Sequence, residues 1–483
     1  MRALDDVAII GGGVAGLTAA ALLARAGARV TVYEHHNVPG GCASFYQRDG
    51  YRFDVGATVV NGFGEHGIHR RVFDALGVEL HAERLDPAML VHLPGASVAR
   101  YGDARWPAER QRVFGEAAEG FWRAQERIAD RVWAFARKLP VLPSDLPSLL
   151  HLARIFRPND AGLLAMQGRR FSRLVPAGAS PLLRLFIDVQ LLITAQAPAC
   201  DVDLAFGATA LDIAREGTYH LPGGISDIAV ALARAVRRFG GAIRYNTTVE
   251  RIETARGGAS AVHLKGGKRV PARTIVAAVP YENVLALLGR TVPPNLRPRQ
   301  RWGAVTAHVG IGPGVVPDEL ALHHQIVHDA QRPLGEGNSA FVSISALHDR
   351  TRARGGGRAV TISTHTDPAR WEHARANGTL DALKREYAAL MMRSLERVLG
   401  AGIEPEVFEL GTPFTFERYT ARYRGLVGGT PQTVGSANLL ARSHRSGIRG
   451  LLLCGDTTFP GQSTVGVTLS AINAVRALGA PTV

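Results

Sequence analysis

Four apolar residues, Val7–Ile10, run into Gly11-Gly12-Gly13, and the stretch LTAAALLARAG that follows is rich in Ala and Leu and stops at Gly27. Such a pattern predicts a short strand, a glycine turn and a helix. Arg29–Tyr33 (RVTVY) reads as a second strand, and a right-handed crossover makes the two strands parallel. From about Phe73 to Ala214 the pattern is mainly helical, with loops at Pro140–Pro147 and Arg157–Asp160. At Gly217 a second α/β signature begins: a Gly-Gly turn, a helix of about fifteen residues, a Gly-Gly stop and a strand containing Ile243. Thr274–Ala278 is a further strand, and alternating segments such as VTAHVGIG and AFVSISAL continue to about Arg449. The chain closes with the apolar run LLLCGD, a Gly-rich loop and the helix TLSAINAVRAL. No repeat period or low-complexity tract interrupts this order.

The glycines carry the first chemistry. A lone GxGxxG is weak evidence, but here it follows a strand, opens a helix and is answered by an acid closing the next strand. Gly11 permits the tight turn, Gly13 lets backbone approach a pyrophosphate, and Gly16 lets helix pack on strand. Val14 and Ala15 open the helix, whose free N–H groups and partial positive charge suit phosphate. Glu34 stands where a ribose-binding acid belongs; the bland alternative is a glycine turn beside an exposed Glu. A second Gly-Gly turn, Pro39-Gly40-Gly41-Cys42-Ala43-Ser44, then Tyr51–Thr58, is more than a nicotinamide nucleotide needs. It suits an extended flavin dinucleotide, FAD, because backbone must run beside the ribityl chain unobstructed. Gly455-Asp456 offers an acid to ribityl hydroxyls or to an ordinary turn cap. Gly466-Val467-Thr468 is read as the opening of the last helix, its positive end near the flavin pyrimidine edge.

The expected fold is therefore α/β: a discontinuous Rossmann-type FAD-binding domain on a parallel sheet, with an inserted α+β substrate domain and a helical, membrane-facing part. Residues 1–72, 215–285 and 450–483 would build the FAD-binding domain, 73–214 the helical insertion and 286–449 the substrate-binding domain. A chain of 483 residues exceeds one simple core, consistent with that division. Lys and Arg number 56 against 42 acids, giving a net charge of +14. The excess is Arg scattered along the chain, without any nucleic-acid module, so nucleic acid is not an expected partner. Cys42, Cys200 and Cys454 are far apart and show no metal or disulfide spacing, which points to a reducing cytoplasm and no metal. The opening MRALDDVAIIGGG does not read as a secretory signal, and no apolar run reaches transmembrane length. Two apolar stretches flanked or punctuated by Arg, Asp145–Pro158 and Pro181–Ala199, are either interfacial segments or core helices.

Taken together, these blocks resemble the phytoene desaturase, carotenoid isomerase and carotenoid 3,4-desaturase group of FAD proteins. The resemblance is carried by VAIIGGGVAGLTAAALLARAG, VTVYEHHNVPGGCASF and YRFDVGATVV, by GTYHLPGGISDIAVALARAV with GGAIRYNTTVERI, and by GTPFTFERYTARYRGLVGGTPQ with LLLCGDTTFPGQSTVGVTLSA. It implies FAD contacts at Gly11, Gly13, Gly16, Glu34, Gly41, Ser44, Val249 and Asp456, with Thr58 inside the matching YRFDVGATVV block. Ser463, Val465 and Ala471 depart from the Gly, Pro and Gly usual in the group. The implied activity is hydride transfer to flavin N5 from an acyclic carotenoid, most like 3,4-desaturation, with quinone or oxygen as electron acceptor. Cis–trans isomerisation with reduced FAD, an amine- or porphyrinogen-type oxidase and a non-catalytic flavin-binding protein remain alternatives. No catalytic base stands out: Asp188 and His220 are conceivable, His35 and His36 read as surface residues, and Arg418, Tyr419 and Arg422 could shape a tunnel or the flavin face. The expected setting is cytoplasmic and peripherally membrane-bound.

Overall fold

The computed structural model describes residues 6–293 and 301–483. The opening MRALD, part of the stretch read above as no secretory signal, lies outside the described residues, as do residues 294–300 of the expected substrate-binding part.

Five short strands form a fully parallel sheet in the order Leu451–Leu453, Thr274–Ala277, Val7–Ile10, Val30–Tyr33, Ala242–Arg244. The sheet therefore joins three stretches of chain that are remote in sequence. Parallel strands are covered on both faces, which is why VAII, VTVY, TIVA and LLL are continuous runs with no polar alternation. The helix Val14–Arg25 packs between Ser226–Arg238 and Ser463–Ala477 and buries every residue before Arg25. Leu17 and Leu23 are wholly inaccessible, each worth about 1.5–3 kcal/mol of burial. An antiparallel three-stranded sheet, Val249–Ala255, Gly258–Leu264 and Arg269–Pro271, is inserted between two strands of the parallel one.

A second large sheet has seven strands in the order Val407–Gly411, Gly303–Ile311, Arg358–Thr366, Ser339–Ile344, His323–Val327, Met89–Leu93, Ala96–Arg100. All its pairings are antiparallel except His323–Val327 with Met89–Leu93. The last two strands are a hairpin inside the stretch expected to be mainly helical. MLVHL alternates buried and half-buried positions, the period of a strand, and Gly95 at φ +86 closes the turn. Helices Glu119–Ala136, Pro181–Ala195 and Leu204–Glu216 pack together beside this hairpin around Trp106, Trp122 and Phe186.

Several boundaries move for identifiable reasons. Asp145 accepts the Ser148 amide at 2.9 Å and caps a helix, Leu146–Ile155, that begins inside the loop expected at Pro140–Pro147. The last helix begins at Ser463, not Gly466, because Ser463 Oγ takes the Gly466 amide at 3.0 Å and supplies its first turn. The two Arg-bearing apolar segments also part company. Pro181–Ala195 buries Leu183, Phe186, Ile187, Val189, Leu191 and Leu192 and is a core helix. Leu146–Ile155 buries only Ser148, leaving Leu146, Leu149 and Leu150 between 51% and 68% exposed. No helix among the described residues is long and apolar enough to cross a membrane.

Candidate flavin-binding site

Gly11 adopts φ +98, a left-handed conformation, and a Cβ there would lie 2.9 Å from the Ala278 carbonyl oxygen. Gly16 is tighter still, since its Cβ would fall 2.0 Å from the carbonyl oxygen of Gly11. Gly13 is the N-cap of the first helix, so the amides of Val14, Ala15 and Gly16 belong to a helix start that leaves donors unpaired within the helix. Above this turn lies the second one, tied to it by the Gly40 amide donating to Gly12 O at 2.9 Å. A Cβ on Gly41, at φ +59, would lie 3.6 Å from Gly13 Cα, and one on Gly13 would meet only the Gly40 carbonyl oxygen at 3.9 Å. The two turns thus form a cradle lined by backbone.

Glu34 closes one corner of that cradle. Its carboxylate accepts the Gly12 amide at 2.5 Å and the His36 amide at 2.7 Å, and only 8% of the residue is exposed. Burial pushes its pKa up, and the two amides act against that shift. Beside it the backbone of 244–249 runs past, with Glu34 N donating to Arg244 O and Thr247 N to Glu34 O, which brings Val249 to the same corner. His35 joins Thr248 and the Arg418 carbonyl, and Tyr419 packs edge-on against His36. Arg418 and Tyr419 therefore sit over the Glu34 corner.

Ser44 donates to Pro39 O at 2.7 Å and so braces the second glycine turn. The Ala57 amide donates to Cys42 O, which carries the chain past that turn to Thr58, whose oxygen accepts a bond from Ser343 at 2.7 Å. From the other end of the chain, Gly455 stands at φ +124 with nothing within 4 Å of its missing side chain. Asp456 pairs with Arg422 at 2.7 Å, both side chains mostly buried. Cys42 feels the same guanidinium, although burial dominates and raises its thiol pKa. Gly466 packs against Gly461 O, Val467 is half-buried, and the Thr468 hydroxyl is buried with no partner among the described residues. Cys454 follows directly on the strand Leu451–Leu453 and is buried, its thiol pushed up to about 12 by desolvation.

A cradle without side chains, a helix start and an acid at its corner, and an orphaned hydroxyl beyond it form a donor set that fits a flavin dinucleotide. The sequence profile of the family described as "Flavin containing amine oxidoreductase" matches residues 14–479. The chain belongs to this family. As a member of the flavin containing amine oxidoreductase family it is an FAD-dependent oxidoreductase, with FAD as its cofactor.

Among similar proteins of known name, a prolycopene isomerase from Arabidopsis thaliana is 28% identical over 98% of this chain and 82% of its own. A neurosporene-forming phytoene desaturase from Rhodobacter capsulatus is 25% identical over 94% of this chain and 90% of its own. The resemblance drawn from the sequence blocks thus extends along almost the whole chain. A solved putrescine oxidase variant superposes with a TM-score of 0.65 at 17% identity, covering 99% of each chain, so it shares the family fold.

Sequence reading did not foresee the Arg422–Asp456 pair, although it had marked both residues separately. It also did not foresee that Ser463, one of the departures from the group, stands at φ +75 in the region that favours glycine. Asp188, considered as a base, instead accepts the Ala199 amide at 2.8 Å and holds the loop after its helix.

Proposed function

We propose that the protein desaturates an acyclic carotenoid at a membrane surface, using FAD held by the cradle above. Bound FAD supplies the hydride acceptor. The chain's own part is to bind, orient and shield. The turns at Gly11–Gly16 and Gly40–Ser44 would lie along the pyrophosphate, Glu34 at a ribose, and Asp456 and Thr468 at the ribityl and ring end. Thr58 would lie near the ring face.

The observation that carries the reading is a cleft of about 530 Å³ that counts both Asp456 and Leu440 among its lining residues. That volume falls in the range of ligand pockets. Leu440 is 57% exposed and Leu439 47%, so the cleft runs from the cofactor loop to exposed apolar side chains. Leu164, Leu146, Leu149 and Leu150, also exposed, lie on elements tied to the same segment. Gln167, just beyond Leu164, accepts the Leu439 amide, and Asp145, which caps the helix of Leu146, Leu149 and Leu150, pairs with Arg445 at 2.5 Å. With Arg154 and Arg157 on that helix and beyond it, this face suits an anionic lipid surface from which an oily substrate could enter. Relatives named for desaturating phytoene and isomerising prolycopene support a carotenoid as that substrate.

Expression in cells that accumulate lycopene, neurosporene or hydroxylated acyclic carotenoids tests the proposal. Pigments with a lengthened chromophore are expected, and an unchanged pigment profile in all three would contradict it. A second reading, redox-neutral isomerisation, is favoured by the prolycopene isomerases matched over 97–98% of the chain. It predicts altered double-bond geometry with no net electron acceptor consumed.

A further inference from the structure

Behind Thr58 lies a set of buried polar groups that the cofactor cradle does not use. Ser343 Oγ donates to Thr58 Oγ1 at 2.7 Å, and His323 Nδ1 lies 2.9 Å from the same serine oxygen. Neighbouring strands hold the pair in place, since the register of His323–Val327 against Ser339–Ile344 sets His323 opposite Ser343. Thr58, His323 and Ser343 all line a cavity of about 20 Å³, together with Asp54, His220 and Arg352. A water needs about 10–15 Å³ of such space, so there is room for one. Two polar atoms of the lining residues, Asp54 Oδ1 and His220 Nε2, are buried without a hydrogen-bond partner among the described residues. Arg352 donates to the other Asp54 oxygen at 2.8 Å and fixes the carboxylate. Buried polar groups are costly to leave unpaired, and a water with two to four partners removes that cost.

The far side of the cavity leads outward. His220 Nε2 is 3.5 Å from Asp349 Oδ2, and its ring meets that of His348 edge-on at 5.3 Å. His348 is 65% exposed and stands 3.3 Å from Glu83. Burial holds both His220 and His323 below the ordinary imidazole pKa, so each ring is neutral and has one donor and one acceptor nitrogen, as a proton relay requires.

We propose that one water occupies this cavity and links the hydrogen-bonded chain of Thr58, Ser343 and His323 to His220, a proton path that leads towards the exposed His348 and Glu83. The path rests on the desaturation reading. Each new double bond removes a hydride, taken with its electron pair by FAD, and one proton from the adjacent carbon, and that proton must reach solvent. Ser343, His323 and His220 touch neither substrate nor cofactor on this account; they position and pass the proton. Isomerisation, which releases no net proton, would have no use for the path.

Ser343→Ala removes the hydroxyl link and leaves the charges around the cavity unchanged. Bound FAD is reduced anaerobically with pre-reduced methyl viologen, which gives up electrons without protons, in weakly buffered solution. Uptake of the one proton of the reduced flavin, which would travel the path inward, is followed with a pH-indicator dye. In S343A, with FAD content and visible spectrum unchanged, uptake should lag by roughly a hundredfold, the scale of a lost proton-transfer step. Ser343→Thr should restore it. Equal uptake in wild type and S343A overturns the path. This readout needs no carotenoid, so a protein inactive on every carotenoid that still shows the lag keeps the path and loses only the desaturation reading. Should S343A fail to fold, crystals of the wild-type protein decide. Density for a water about 3 Å from both Asp54 Oδ1 and His220 Nε2 supports the path, and an empty or side-chain-filled cavity overturns it.

Discussion

The two large sheets bury their central strands with different chemistry. Apart from Tyr33 and Arg244 at two strand ends, strands of the parallel sheet are built from Val, Ile, Ala, Leu and Thr, and its demands fall on the loops at the strand ends, where Gly11, Gly16 and Gly455 fix the backbone. The seven-stranded sheet instead buries His308, His323, His324, Gln325, Ser343, Thr361 and Thr364 within its strands. On the proposed binding mode a nucleotide would be met mostly by backbone, so the first sheet needs mainly shape. Side chains of the second sheet need partners, and several have them across strands or through Thr58 and the helix Pro181–Ala195, where Gln325 donates to Val189 O. The contrast separates a scaffold that positions a cofactor by glycine geometry from one that places polar groups in a dry interior, where each must be satisfied or neutral.

The sharpest break would come at the first sheet's turn. Gly16→Val would drive a side chain into Gly11 O, 2.0 Å from where its Cβ must lie, and backbone cannot yield as a side chain can. Loss of bound flavin and a collapse of folded yield are expected, read by visible absorbance and circular dichroism. The second sheet should announce itself through pH. His308, His323 and His365 are neutral in the fold because burial lowers them to about 4, 3 and 4. The unfolded chain binds their protons below a pH of about 6.5, so stability should fall as pH drops from there towards 4, by up to about 1.4 kcal/mol per unit for each histidine. Denaturant midpoints that stay level over that window would remove the distinction between the sheets. Between the two in size is the effect at the Arg422–Asp456 pair, which joins two loops of the C-terminal part of the chain. Asp456→Ala leaves the Arg422 guanidinium buried without its carboxylate, which should destabilise by about 3–5 kcal/mol in urea titration. The smallest effect is at Ser463, where φ is +75. Ser463→Gly relieves about 1–2 kcal/mol of left-handed strain but gives up the bond to the Gly466 amide, worth about 1 kcal/mol. A net gain below about 1 kcal/mol is expected from thermal unfolding.

Local requirements were legible in the sequence, and relations set by tertiary structure were not. Gly11 and Gly16 announce themselves because a tight turn and a close helix–strand contact admit no other residue. The apolar helices Leu146–Ile155 and Pro181–Ala195 could not be told apart from composition. Both carry Leu-rich faces with Arg, and only packing decides that Phe186 and Ile187 lie inside while Leu149 and Leu150 stand out. The Met89–Arg100 hairpin was hidden in a helical context because its partner, His323–Val327, is more than two hundred residues away. Arg422 and Asp456, or His323 and Ser343, carry no signal of their pairing because register and loop closure bring them together. Sequence comparison with the carotenoid group marked Ser463 as unusual, and the backbone supplies the reason, since that position favours glycine.

The central claim is that both ends of the polypeptide together hold FAD non-covalently. Its most direct test is to add FAD to the purified full-length protein, remove the excess, record the visible spectrum, then denature and quantify what is released. The account predicts a yellow protein that gives up stoichiometric intact FAD on unfolding and a Gly16→Val variant that carries none. A wild-type chain that folds yet stays colourless in the presence of FAD, or one that retains flavin after denaturation, would contradict it.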